Sequence, residues 1–386
     1  MDIQEYFKVM VDKEASDLYL TVARPPMYRI GGKIQPIGDQ SFTAADLQGL
    51  AYSIMNEWQT IEFKEKMEMN LALPGVSRFR VNIFRQRGST GMAIRRVKVD
   101  PESLDDLGLP AVLKELAMTK RGLVLVVGAT GSGKSTTLAA MVDYRNTTEY
   151  DHIITIEDPI EFVHKHKNSI ITQREIGFDT HSYQAALKNT LRQAPDVILI
   201  GEIRDTETME AALTFAETGH LCLSTLHSNN ANQAIERIMN FFPPARHVQI
   251  YLQLSLNLRA IISQRLIPSL DSGRVAAMEI LMDTPRIKDL IKKGEVDILK
   301  EGMEQGVQEG CQTFDDALFM LYKERRISFD QAMINSDSAN NLRLRIKLAG
   351  LKVDDEPQEV QSVKTAAGQP KTIGVSDPGV FRLRGN

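Results

Sequence analysis

The sequence predicts an α/β protein: an open, mainly parallel sheet with helices on both faces, preceded by a smaller α+β domain. Three observations carry this expectation. Short apolar runs alternate with helical patterns from Gly122 onward, as they do where a parallel sheet is wound with helices. A glycine-rich loop, "GATGSGKST" from Gly128 to Thr136, sits between one such run and a helix-forming stretch. And 386 residues are more than one compact core usually holds.

Taken in chain order, "ASDLYLTVARPPMYRIGGKIQPI" (Ala15 to Ile37) has β-rich runs broken by Pro-Pro and Gly-Gly, so it predicts strands and tight turns. "TAADLQGLAYSIMNEWQTIEFKEK" carries apolar residues at helical spacing behind a Thr able to cap them. "SRFRVNIFRQRGSTGMAIRRVKV" reads as two strands around a Gly-Ser-Thr-Gly turn. Residues 1–98 therefore form the α+β domain, and 99–113, around "DPESLDDLGLP", the linker. The next domain spans 114–350, with strands expected at "GLVLVVG", "HIITIED", "SIITQRE", "DVILIGE" and "HLCLSTLH" and a helical, charged region after Pro285. The remainder, 351–386, is rich in polar residues, Pro and Gly and is expected to be disordered.

Composition narrows the function classes. A net charge of -4 offers no general attraction to nucleic acid or anionic lipid. The longest apolar runs are far shorter than the roughly 20 residues of a bilayer span, and the N-terminal stretch lacks a signal-peptide core. Cys222 and Cys311 are too few for a disulfide framework or a four-thiolate zinc site. A cytoplasmic location is the expectation.

The loop from Gly128 to Thr136 meets the P-loop pattern in its strand–loop–helix setting. Gly128, Gly131 and Gly133 let backbone N–H groups turn inward around phosphate oxygens, with Ala129, Thr130 and Ser132 completing the cradle. The following helix adds its positive N-terminal end. Lys134 can neutralise the β- and γ-phosphates, while Ser135, followed by Thr136, can ligate Mg²⁺. ATP with Mg²⁺ is the implied ligand.

In "APDVILIGEIRD" a buried strand ends at Glu202, but Gly201 stands where an Asp commonly precedes that Glu. A second carboxylate must come from elsewhere. "IITIEDPIEF" supplies Glu157, Asp158 and Glu161 in a loop begun by Pro159, at the sheet's carboxyl edge. Glu202 would then serve the metal, and one acid of that cluster would polarise the attacking water; a solvated acidic loop is the alternative. His220 and His227 bracket another strand. They serve either as structural histidines or as hydrogen-bond partners of the γ-phosphate or a catalytic carboxylate.

With these stretches in place, the chain resembles the secretion ATPases of the type II/type IV pilus superfamily, and most closely the pilus retraction ATPases of the PilT/PilU family. "GATGSGKST" is similar to that family's Walker A, "TIEDPIEF" to its Asp box, "VILIGEIRD" to its Walker B, and "TGHLCLSTLH" to its His box. "ASDLYLTVARPPMYRIGGKI" and "GRVAAMEIL" match as well, so the resemblance spans residues 1 to 348.

The resemblance implies a RecA-like P-loop NTPase domain behind a PAS-like N-terminal domain. It also implies ATP bound between the two, and a homohexameric ring beneath an inner-membrane pilus platform protein. It makes Glu161 the general base, Glu202 the magnesium-site acid, and His227 a γ-phosphate sensor. Arg78, Arg80 and Arg95 fall on family positions that neutralise transition-state charge; Arg85 and Arg87 flank a turn out of register with the pattern.

Two departures refine it. The chain lacks the long N-terminal region and the four cysteines of extension ATPases. "PRIKDLIKKGE" also replaces a helix typical of autonomous retraction motors, with Lys288, Asp289, Lys292 and Lys293 at its key polar positions. The first weighs against extension and secretion ATPases. The second, with the polar C-terminal tail, points to a PilU-like accessory ATPase of pilus retraction and twitching motility, associating with a second retraction ATPase and not with nucleic acid. An autonomous PilT-type motor and a scaffold-like nucleotide-binding ring remain as alternatives.

Overall fold

The computed structural model describes residues 2–73, 77–271 and 273–351; the tail expected to be disordered, from Lys352 onward, lies outside the described residues. The chain builds two sheets. The first comprises β1 (Asp17–Leu20), β2 (Met27–Ile30), β3 (Lys33–Pro36), β4 (Glu68–Leu73), β5 (Arg78–Gln86) and β6 (Ser89–Val99), in the antiparallel order β3-β2-β1-β6-β5-β4. Its core buries Phe7 and Met10 of the first helix, Ile3–Asp12, against Phe79, Val81 and Ile83 of β5. Side chains alternate along a strand, so Arg78, Arg80 and Asn82 project from the opposite face. That alternation aims the arginines at the second domain.

Two local readings differ from the sequence expectation. The stretch from Thr43 to Lys66 is two helices, Ala44–Ser53 and Glu57–Lys66, because Asn56 and Gln59 form a second capping box that restarts the helix. The hairpin between β5 and β6 turns at Arg87-Gly88, both with positive φ (49° and 76°), two residues earlier than the Gly-Ser-Thr-Gly reading placed it. A two-residue turn with positive φ at both positions matches the twist of the flanking strands.

The second sheet comprises β7 (Gly122–Val127), β8 (His152–Glu157), β10 (Ile170–Glu175), β11 (Val197–Ile200), β12 (Leu221–Leu226), β13 (Leu258–Pro268) and β14 (Arg274–Met282). Its order is β10-β8-β11-β12-β7-β13-β14, parallel throughout except for the β13–β14 pair. In β7, Leu123, Leu125 and Val127 join one core and Val124 and Val126 another. Burial on both faces is why the parallel strands read as unbroken apolar runs. β13 and β14 were not anticipated: β13 begins immediately after the helix His247–Asn257, with no glycine or proline to mark the boundary.

A two-residue strand, β9 (Phe162–Val163), leaves the second sheet and pairs with β6, Lys98 opposite Phe162 and Val99 opposite Val163. It stitches the loop after β8 to the N-terminal sheet. The stretch expected as linker packs down too, with Leu104 buried against the second sheet's core. All parallel strands end at one edge, where open α/β sheets bind ligands.

Candidate nucleotide site

The P-loop follows β7 at that edge. Gly128 and Gly133 have φ of 154° and 90°, and a β-carbon on either would lie within 2.7 Å of β13's Gln264. Gln264 in turn accepts a 2.7 Å hydrogen bond from Thr137, so β13 forms the floor that shapes the loop. The helix Lys134–Thr148 starts at Gly133 with no side-chain cap, leaving its first N–H groups free for an anion. Lys134 donates to the carbonyls of Gly128 (2.9 Å) and Ala129 (3.0 Å). Burial pushes its ammonium below the usual lysine range, and Glu202 opposes that shift.

A cavity of about 610 Å³ opens over the loop. Thr130, Gly131, Gly133, Lys134, Ser135, Thr136, Glu157, Asp158, Glu161, Glu202 and His227 all line it. The acids therefore come from two strand ends, those of β8 and β11, onto one space. Gly128 and Ala129 face smaller clefts on the loop's other side, and Ser132 is buried with an unpartnered hydroxyl.

Glu202 accepts from Arg204 Nε at 2.7 Å and lies 3.3 Å from His227 Nε2. Arg204 also reaches Asp158 at 3.5 Å. Glu157 accepts from Thr155 (2.6 Å) and Gln173 (3.2 Å). Burial pushes its carboxyl up despite these bonds and the Glu161 backbone N–H that faces it.

His220 does not join this group. It precedes β12, whereas the site lies beyond the strand's far end, about 20 Å away for six residues; its Nδ1 meets Thr218 and the Phe215 carbonyl instead. The expectation of a nucleotide role for His220 is corrected by strand polarity alone. Arg78 and Arg80 are engaged by Glu175, at 3.2 and 3.5 Å, and Arg95 by Asp17 at 2.9 Å; none lines the cavity. Arg96, which the sequence reading passed over, does line it, and its Nε is buried without a partner. Alternation along β6 sends neighbouring arginines to different surroundings, but only the β6–β9 pairing shows which one faces the loop. Arg274, at the start of β14, is a second arginine on the cavity wall not foreseen for it.

The group implied is a magnesium nucleotide, and the residues fit one. The uncapped helix and Lys134 suit phosphate. Among the described residues no cluster of three or more His, Cys, Asp or Glu side chains could hold a metal ion by itself. One hydroxyl and one carboxylate, Ser135 and Glu202, match Mg²⁺, which keeps waters and takes phosphate oxygens as its remaining ligands.

A family profile described as "Type II/IV secretion system protein" matches residues 3–334. The chain belongs to the type II/IV secretion system protein family. Within that family it is 51% identical over 351 residues to the type IV pilus ATPase PilU of Pseudomonas aeruginosa, covering 90% of this chain and 92% of that protein. The retraction ATPase PilT of the same organism is 43% identical over 334 residues, covering 86% of this chain and 97% of PilT. The crystal structure of the pilus retraction motor PilT with bound ADP superposes with a TM-score of 0.83 at 43% identity, over 89% of this chain and 99% of that one. The second sheet is thus a RecA-like secretion ATPase fold, as expected.

Proposed function

We propose that this protein is a Mg²⁺-dependent ATP-hydrolysing motor of type IV pilus retraction and twitching motility, PilU-like in kind. The observation that carries it is the convergence of Lys134, Ser135, Glu161 and Glu202 on one cavity, in a chain half identical to PilU. Phosphate oxygens are stronger acceptors than the two carbonyls that now hold Lys134. Glu161 takes a proton from water as its oxygen attacks the γ-phosphorus and the bond to the ADP oxygen breaks; the proton then leaves to solvent. Bound Mg²⁺ would neutralise charge on the phosphate oxygens. His227 acts through its contact with Glu202, and Arg96 and Arg274, both on the cavity wall, are the candidates to meet developing charge.

The accessory reading draws support from the helix Pro285–Lys293. Ile287, Leu290 and Ile291 are buried, while Lys288 pairs with Asp283 (2.9 Å) and Lys293 with Asp289 (2.8 Å). Three of its polar side chains, Lys288, Asp289 and Lys293, are thus paired within the chain. Among the described residues no helix is long and apolar enough to cross a membrane, which is compatible with a cytoplasmic homohexamer docked on an inner-membrane platform protein and associating with a second retraction ATPase.

Phosphate release by the purified protein tests this. Lys134→Ala and Glu202→Ala should each lower turnover at least about a hundredfold while leaving the thermal unfolding midpoint within a few degrees. Near-wild-type turnover in either would overturn the assignment. Deleting the gene beside an intact PilT should impair retraction only under high load; loss at low load would instead indicate an autonomous motor.

A further inference from the structure

The buried carboxylate of Glu175 plays no part in the chemistry described so far, yet it sits where the two domains meet. It ends β10 with 1% of its side chain exposed, directly opposite Glu157 of β8. Arg78 Nη2 donates to its Oε2 at 3.2 Å, and Arg80 Nη2 stands 3.5 Å from Oε1. The backbone N–H of Ile160 faces the same carboxylate, while that of Glu161 faces Glu157. Buried Glu175 and half-buried Glu157, side by side on neighbouring strands, therefore address two successive amides of the turn that carries Glu161.

We infer that Glu175 is the positioning residue through which the N-terminal sheet sets the Glu161 loop. The inference rests on the reading of Glu161 as general base. A carboxylate this deep requires cationic or hydrogen-bonding partners, and both its cations come from β5 of the other domain. Movement of β5 therefore moves Glu175's partners, and with them the amide of Ile160. β9 ties the far end of the same loop to β6, so the N-terminal sheet holds the loop at both ends. A base displaced by a fraction of an ångström loses its alignment with the water it activates. In this arrangement domain position and catalytic competence are one variable.

The isosteric change Glu175→Gln removes the charge that recruits the arginines. It should lower kcat about tenfold or more while the KM for ATP and the affinity for ADP stay within about threefold. Glu175→Asp should recover part of the loss. In a Glu161→Gln background the substitution should add nothing, and Arg80→Gln combined with Glu175→Gln should be no worse than either alone. Wild-type kcat in Glu175→Gln, or a full additional loss on top of Glu161→Gln, overturns the inference. Amide hydrogen exchange gives an arm independent of turnover: Ile160 and Glu161 should exchange faster in Glu175→Gln and in Arg80→Gln, with β7 and β12 unchanged. Unaltered exchange there refutes the linkage, whereas faster exchange in a protein whose wild type hydrolyses no ATP refutes only the proposed function.

Discussion

Any β-carbon at position 201 would stand 3.0 Å from the Tyr183 hydroxyl and 3.2 Å from the Glu157 Cα, closer than real contacts normally come. The Gly201 amide donates to the Ile156 carbonyl at 2.8 Å, which draws β11's end against β8's. The acid that often precedes the strand-end glutamate is thus excluded by the Tyr183 hydroxyl and the β8 backbone, while β8's own acids line the same cavity. Restoring the customary residue should harm the enzyme. Gly201→Asp is expected to cost about 1–3 kcal/mol through overpacking and to abolish turnover, while Gly201→Ala loses less of both. Urea unfolding and phosphate release measured on the same preparations check this. An active, stable Gly201→Asp would mean that the Glu157 backbone can retreat at little cost.

Between Pro159 and Lys167 the chain leaves one sheet, pairs briefly with the other and returns, and His164 is buried at that crossing. It is 9% exposed with Nδ1 unpartnered, and burial pushes its pKa from 6.5 down to about 4, with Asp143 and Lys167 nearby acting in opposite directions. A folded pKa below the unfolded value means that acid favours unfolding: the stability is present above pH 6.5 and drains away as pH falls toward 4. The loss is about 2 kcal/mol by pH 5 and about 3 kcal/mol by pH 4. His164→Gln should remove most of that slope, seen as a smaller shift in urea midpoint between pH 7 and pH 5. Equal shifts in both proteins would show that His164 is solvated in the native state.

The same crossing explains what could be read from the sequence. The central parallel strands were legible because two-sided burial makes β7, β8, β11 and β12 largely apolar runs, and the acids followed because β8, β10 and β11 each lead into one, Glu157, Glu175 and Glu202. Even His220 was decidable: parallel strands put the residue before β12 at the edge away from the P-loop. The facing of Arg95 and Arg96 was not, since it depends on β9, a strand of only two residues, pairing across domains. Nor were β13 and the partnership of Gln264 with the loop, because a buried glutamine within a strand carries no periodic signal.

Considered as one body, the chain leaves apolar surface on both domains. Trp58 (68% exposed), Ile61 and Met67 lie along and just beyond one N-terminal helix. Val248 (82% exposed), Leu252 and Leu256 recur every fourth residue along the helix His247–Asn257. Such spacing puts the latter three on one face, and exposed apolar stripes of this kind mark contact sites. Two different patches on one chain suit a head-to-tail contact, which closes into a ring when the rotation allows. If the proposed hexamer joins these patches, Trp58→Glu and Val248→Glu should each shift the assembly toward smaller species in size-exclusion chromatography with light scattering. The cost per interface should be about 1–3 kcal/mol, enough to disperse the ring at micromolar concentration. Combining Trp58→Glu with Val248→Lys should restore part of the assembly, because the introduced charges then oppose each other across the contact. Intact rings in both single variants would place the subunit contact on other surfaces, and failure of the charge pair to rescue would show that the two patches do not meet.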